Sequence, residues 1–457
     1  MLRALMGLFG ACLMAGCGNA ADPSSSGAGS ANSRQAATTR VEVENVVATL
    51  RRLEAIARAN GGNRAAGTPG GEASIDEVAD RMRRAGHSVA TPVVRFPFYE
   101  ERSPPRVAID GRALEPRRDV LTLAYSPGGQ VEGATAQVAR LGCAARDFGS
   151  VAGGTIAVAR RGECTLRRKA LLAQSAGAAA LLVIDDEPSD IREAFAGSLG
   201  SPGIGIPVLG TSLAAGRALT RNGVRVRLRV DATSEQRATR NVIAETRTGR
   251  RNGTIMVGAH IDSVSAGPGI NDNGTGVATI VELAERLAAA GKPLGRRVRF
   301  AFWGAEELGL YGSRRYVASL SRIERRQIGG YVNLDMTGSP NPVRLVYDGA
   351  AGPPGSQRIE DALRAYFRGA RLEVGETGRR DGSDHASFAR AGIPVGGLFS
   401  GAETRKTAAQ ARRYGGRAGR PLDPCYHRAC DTVANVDTRV LGQMSDATAR
   451  AVTALAR

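Results

Sequence analysis

The stretch from Gly258 to Asp335 limits what this chain can fold into more than any other. Three short apolar runs lie in it or at its border: Thr254-Ile-Met-Val-Gly-Ala259, Arg297-Val-Arg-Phe-Ala-Phe302 and Ile328-Gly-Gly-Tyr-Val-Asn-Leu334. Each has strand length and reads as a buried strand. Between the first two, apolar residues recur at helical spacing through Val277, Ile280, Val281, Ala284 and Leu287, so a helix packs on the sheet there. Strands alternating with helices predict an α/β fold, with a mostly parallel or mixed central sheet flanked by helices. Ligands of such sheets bind beyond the carboxyl ends of the strands. Acids and imidazoles gather at those ends: His260 and Asp262, then Asp272, then Glu306 and Glu307, then Asp335. His427 joins them from Asp423-Pro-Cys-Tyr-His-Arg-Ala-Cys430, far downstream.

Singly, these residues have plainer readings. A lone histidine at a strand end is ordinarily a structural hydrogen-bonder, and a Glu-Glu pair suits a solvated helix start. Their conjunction favours a metal. Hard carboxylate oxygens with imidazole nitrogens suit divalent zinc, ahead of manganese or cobalt. Two histidines and three carboxylates are too many for one tetrahedral ion and suit two ions sharing a carboxylate, about 3.5–4 Å apart.

The chain resembles the co-catalytic di-zinc aminopeptidases of the M28 peptidase family, which include secreted Streptomyces-type enzymes. The matching segments are His260-Ile-Asp262, Gly269-Ile-Asn-Asp-Asn-Gly274, Trp303-Gly-Ala-Glu-Glu307, Asn333-Leu-Asp335, Gly382-Ser-Asp-His385 and Cys425-Tyr-His-Arg-Ala-Cys430. The resemblance implies two zinc ions per chain, with Asp272 bridging them. His260 and Asp335 would complete one set of ligands, and Glu307 and His427 the other. Glu306 would be the general base, Tyr426 would offer its hydroxyl to the oxyanion, and Asp262 would orient the His260 ring. Where Streptomyces-type relatives carry a substrate-holding arginine this chain has Gly382, with Arg379 and Arg380 nearby but out of register. Of the other histidines, His385 is expected to be a structural hydrogen-bonder near the site, and His87 a surface residue.

The expected function is therefore a zinc aminopeptidase that hydrolyses N-terminal, apolar residues from peptides with a free N-terminus. A water activated at the metals would attack, with Glu306 moving its proton. The alternatives are another M28 exopeptidase, such as a PA-containing carboxypeptidase, and a non-catalytic peptide-binding relative.

Residues 1–16 read as an export signal with one positive charge and an apolar run too short to span as a mature helix. Leu13-Met-Ala-Gly-Cys17 resembles a bacterial lipobox, which makes Cys17 the expected lipidation site; ordinary cleavage near Ala20-Ala21 is the alternative. The protein is thus expected at the cell surface as a lipoprotein, or secreted to the periplasm or medium. Residues 17–40 form a Ser/Gly/Ala-rich tether. Two amphipathic helices, 46–57 and 73–86, flank a glycine-rich loop at 60–71. Residues 88–96 read as one edge strand because of Pro92.

Residues 153–184 and 204–209 resemble a protease-associated (PA) domain, an α+β insert. The domain expectation is 41–112 for the first part of the catalytic domain, 113–235 for the PA insert and 236–457 for the zinc peptidase domain. Setting aside Cys12 and Cys17, Cys143 pairs with Cys164 and Cys425 with Cys430 as expected disulfides of an oxidising compartment. The net charge of +18 invites a nucleic-acid partner. Arginines carry it along the whole chain, with lysine only at 169, 292 and 406, and aromatics make up only 4%. No basic block interleaved with aromatics exists, so no nucleic-acid partner is expected, and the membrane is reached only through the lipid anchor.

Overall fold

The computed structural model describes residues 40–185, 193–291, 294–378 and 382–457. The export signal, Cys17, nearly all of the tether and the Arg379–Arg380 pair lie outside the described residues.

The chain builds an α/β body around one eight-stranded sheet. Its strand order is β1 (Ser88–Ala90), β10 (Val242–Glu245), β12 (Arg296–Trp303), β11 (Arg250–His260), β13 (Ile328–Leu334), β16 (Val395–Phe399), β14 (Leu345–Tyr347), β15 (Gly375–Thr377). The four central strands are parallel, while β10 and β14 pair antiparallel at their flanks. Helices cover both faces, which is why residues 255–259 of β11, 300–303 of β12 and 331–332 of β13 are buried and mostly apolar. On one face α1 (Val43–Ala59), α2 (Pro69–Arg84), α5 (Thr275–Ala290), α8 (Ser356–Gly369) and α11 (Thr438–Leu455) bury Leu50, Val78, Ile280, Leu363 and Met444 against Val257, Phe300 and Val332. On the other, α6 (Tyr311–Ser319) and α9 (His385–Arg390) bury Val317 and Phe388 against Met256, Trp303 and Tyr331. The short α7 (Arg322–Gln327) leads into β13, and α10 (Ala408–Tyr414) precedes the Cys425 segment.

A second eight-stranded sheet has the order β3 (Arg112–Ala113), β2 (Val93–Ile109), β9 (Arg225–Arg240), β5 (Gly129–Gln137), β6 (Ile156–Arg160), β7 (Ala180–Ile184), β8 (Val208–Thr211), β4 (Val120–Thr122). Helices α3 (Leu166–Ser175) and α4 (Leu213–Arg217) pack on it, and a disulfide joins Cys143 to Cys164 at the foot of α3. The long pair β2 and β9 runs antiparallel from Val93↔Arg240 to Ile109↔Val226. This second sheet therefore takes in residues on both sides of the 113–235 span expected for the insert.

Three local expectations need correction. Residues 88–96 are not one strand: β1 closes the edge of the first sheet, and the chain breaks at Pro92, which has no N–H for a ladder, before β2 starts the second. Helix α2 begins at Pro69 rather than 73, because Thr68 caps it by accepting from Gly71 N at 3.2 Å and proline suits the first turn. His87 is buried, with Nε2 3.0 Å from Ala284 O and its ring 5.0 Å from that of Phe300. Burial lowers its pKa, so the imidazole is neutral there.

Candidate metal centre

Parallel register brings the sequence motifs to one edge. His260 lies beside Trp303 across β11 and β12, and Gly258 beside Asn333 across β11 and β13. The Glu306–Glu307 turn and Asp335 follow those strand ends directly. Beneath them, Trp303 Nε1 donates to Tyr331 Oη at 2.8 Å, Tyr331 Oη to Asn333 Oδ1 at 2.9 Å, and Asn333 Nδ2 to Ser383 Oγ at 2.9 Å. A Cβ on Gly258 would stand 2.5 Å from Tyr331 Oη, so only glycine admits this floor. The turn carrying Asp272 needs glycine too: Gly269 has φ 62°, and a Cβ there would stand 2.4 Å from Asp272 O.

The acids and imidazoles meet above this floor. His260 Nε2 is 3.1 Å from Asp272 Oδ1 and 3.7 Å from Asp335 Oδ1. His427 Nε2 is 3.2 Å from Asp272 Oδ2 and 3.1 Å from Glu307 Oε2. Asp272 thus stands between two histidines, one oxygen toward each. Ligand atoms of His260, Glu306 and Asp335, and of His260, Asp272 and Glu307, form two groups within 4.8 Å. Ala305, Met336 and His427 adopt left-handed φ of 58°, 51° and 57°. Such backbone is held only where its surroundings impose it.

Asp262 sits differently from the expectation that it orients His260. The nearer partner of His260 Nδ1 is the Asp262 backbone carbonyl, at 3.0 Å, with the carboxylate 3.8 Å away. That carboxylate instead accepts from the backbone N–H of Glu306 at 3.1 Å and of Glu307 at 3.4 Å. It holds the acidic turn as much as the ring.

His427 arrives on a clamped loop. A disulfide joins Cys425 to Cys430, and the Tyr426 ring stacks on His427 with centroids 3.9 Å apart. Just before it, Asp423 accepts from Asn271 Nδ2 at 2.6 Å. Just after it, Asp431 accepts from Asn271 N at 2.8 Å and Asp272 N at 3.0 Å. Both ends of the loop are therefore fastened to the turn that bears Asp272. In the chain-entropy account, closing this loop contributes roughly 2 kcal/mol and the longer Cys143–Cys164 loop roughly 3. Replacing Cys425 and Cys430 with serine should lower unfolding stability by about that 2 kcal/mol and also reduce activity, read by urea titration and by turnover. The Cys143/Cys164 replacement should cost stability alone. Equal activity losses from both pairs would contradict this division.

Electrostatics shows what the site demands. Burial drives Glu307 and Asp384 each up to about 7. It carries Glu306 well above the usual carboxylate range, with Asp384 and Asp335 adding to the push against the relief given by His260. Burial would lower His260, but Glu306, Asp272 and Asp335 outweigh it and hold the ring well above its ordinary value. Hydrogen bonds to Asp272 and Glu307 raise His427 to about 10. Asp272 is also pushed up by burial, yet the two histidines prevail and hold it far below the ordinary range. The acids outnumber the cations, and the buried Glu307 Oε1 has no hydrogen-bond donor. Such a mixed nitrogen and oxygen donor set, short of positive charge, fits divalent zinc.

The remaining predicted residues fall around this core. Burial raises the Tyr426 phenol above its ordinary pKa, helped by Asp272 and Glu307, so it keeps its proton. His385 is buried with its ring 4.5 Å from that of Tyr347. Sequence reasoning missed three residues. Asp384 was seen only as part of Gly-Ser-Asp-His, yet it is fully buried and its charge acts on Glu306. Asp431 follows the last cysteine, a position that could have marked it. Arg64 is fully buried at the site's edge, and nothing in the sequence separates it from the many surface arginines.

Residues 241–452 match peptidase family M28, and residues 131–219 match the PA domain. An aminopeptidase of Pseudomonas aeruginosa is 40% identical, over 90% of this chain and 80% of the relative. A Mycobacterium tuberculosis protein named Probable lipoprotein aminopeptidase LpqL is 38% identical, over 88% of this chain and 83% of its own. Among solved structures, a zinc aminopeptidase from Bacillus subtilis superposes with a TM-score of 0.57 at 26% identity, over 90% of this chain and 94% of that one.

Proposed function

This chain belongs to peptidase family M28 and is a metallo-aminopeptidase; on that premise we propose that it holds two zinc ions and removes apolar N-terminal residues from peptides outside the cytoplasm. The observation that carries the reading is Asp272, which offers one oxygen toward His260 and the other toward His427. His260 and Asp335 would hold one ion, Glu307 and His427 the other, with Asp272 shared. When bound, the ions supply Lewis acidity toward the scissile carbonyl and lower the pKa of water. Glu306 takes a proton from the attacking water and returns it to the leaving amine, a task suited to a carboxyl raised well above the usual carboxylate range. Tyr426, still protonated, donates its O–H to the developing oxyanion. Asp262 fixes the Glu306 and Glu307 backbone amides, so that Glu307 would hold an ion while Glu306 stays available to move the proton.

Export is supported by the N-terminal signal, by two disulfides and by the lipoprotein name of the mycobacterial relative. No helix among the described residues is long and apolar enough to cross a membrane. Polarity follows from the charges at the site. Glu306 and Asp335 can anchor a substrate ammonium, whereas a carboxypeptidase needs a cationic anchor such as a bidentate arginine. Leucyl and phenylalanyl amides should be cleaved, and the same peptides after N-acetylation should not. Efficient release of C-terminal residues from N-acetylated peptides would overturn the aminopeptidase reading and favour the carboxypeptidase one.

A further inference from the structure

Arg64, in the loop between α1 and α2, is 0% exposed. A buried guanidinium is costly unless its donors are satisfied. Here three of its nitrogens reach three carbonyls of a single segment. Nε donates to Pro268 O at 2.8 Å, Nη2 to Gly269 O at 2.5 Å, and Nη1 makes a short bond to Ile261 O. The backbone joins in: Arg64 N donates to Ser263 Oγ at 2.9 Å and Ser263 N to Arg64 O at 3.2 Å. Segment 261–269 carries Asp262 and links the end of β11, bearing His260, to the turn bearing Asp272. The two Nη atoms of one rigid fork therefore hold its two ends.

The charge of Arg64 matters as well. Burial lowers its pKa to about 10 while Asp262, Asp431, Asp272 and Glu307 work to raise it, so it remains a cation at neutral pH. Its side-chain hydrogen bonds run to carbonyls, so no carboxylate is tied to the guanidinium directly and its charge acts on the acid cluster through space.

We propose that Arg64 is a positioning residue for the zinc ligands: its fork fixes the spacing between His260 and Asp272, and its charge offsets repulsion among the acids. This rests on the zinc reading above. The substitution of groups that hold metal ligands typically weakens metal binding about 10–100-fold.

The test measures zinc affinity of the full chain by competition with a chromophoric chelator, and the visible absorption of the cobalt(II)-loaded protein. Arg64→Met should bind zinc about 10–100-fold more weakly and show a shifted cobalt spectrum. Arg64→Lys keeps the charge but cannot span Ile261 and Gly269, so it should rescue affinity only partly and leave the spectrum shifted. Wild-type affinity and spectrum in either folded variant would overturn the proposal. Failure of both variants to fold, with or without zinc, would assign Arg64 to the fold at large and overturn it equally. Wild-type protein that binds no zinc would instead sink the underlying functional reading.

Discussion

Glu306→Gln is expected to keep near-wild-type zinc content and to lose roughly 10²–10⁴-fold in turnover. The two neighbouring glutamates are not equivalent. Glu307 Oε2 lies 3.1 Å from His427, within the cluster that includes Asp272. Glu306 instead lies near His260 and Asp335, and burial with neighbouring acids raises its pKa well above the carboxylate range. A glutamine there preserves shape and the hydrogen bond from the backbone N–H to the Asp262 carboxylate but cannot carry a proton between water and leaving group. Elemental analysis beside steady-state kinetics separates the possibilities. Unchanged turnover would contradict the proton-shuttle role, and loss of zinc would make Glu306 a ligand.

Asp272→Asn should have a still broader effect, removing both metal and activity. Each oxygen of this carboxylate faces a different histidine, His260 at 3.1 Å and His427 at 3.2 Å. An amide offers one acceptor and no charge, so neither ion would keep its full set of ligands. The fall in zinc affinity should exceed the 10–100-fold typical of groups that merely support a ligand. The fold itself should survive, because Asp431 holds this turn through backbone N–H groups that the substitution leaves in place. Chelator competition and circular dichroism read the two halves of this expectation. A variant that binds two zinc ions as tightly as wild type would remove Asp272 from the bridging position.

β11, β12 and β13 were legible because the parts of a strand covered on both faces are mostly apolar, and α5 because its apolar spacing repeats to Gly291. The convergence of His260, Asp272, Glu306, Glu307, Asp335 and His427 followed from parallel strands ending at one edge. Chain segments whose structure depends on distant partners were less legible. After a helix-ending glycine His87 suggests a surface position, but the face it meets is supplied by Ala284 and Phe300, from a distant part of the chain. Pro92 suggests an edge strand by its missing N–H, but in the structure it divides two sheets. The double role of Asp262 and the carbonyl cradle of Arg64 depend on backbone groups, which leave no residue-type signature.

Zinc bound per chain, measured on the purified protein after exhaustive dialysis and paired with hydrolysis of leucyl amide, tests the central claim most directly. The account predicts two zinc ions per chain, loss of hydrolysis when a chelator strips them, and recovery when zinc returns. Full hydrolysis by metal-free protein, or saturation at a single ion with full activity, would contradict it.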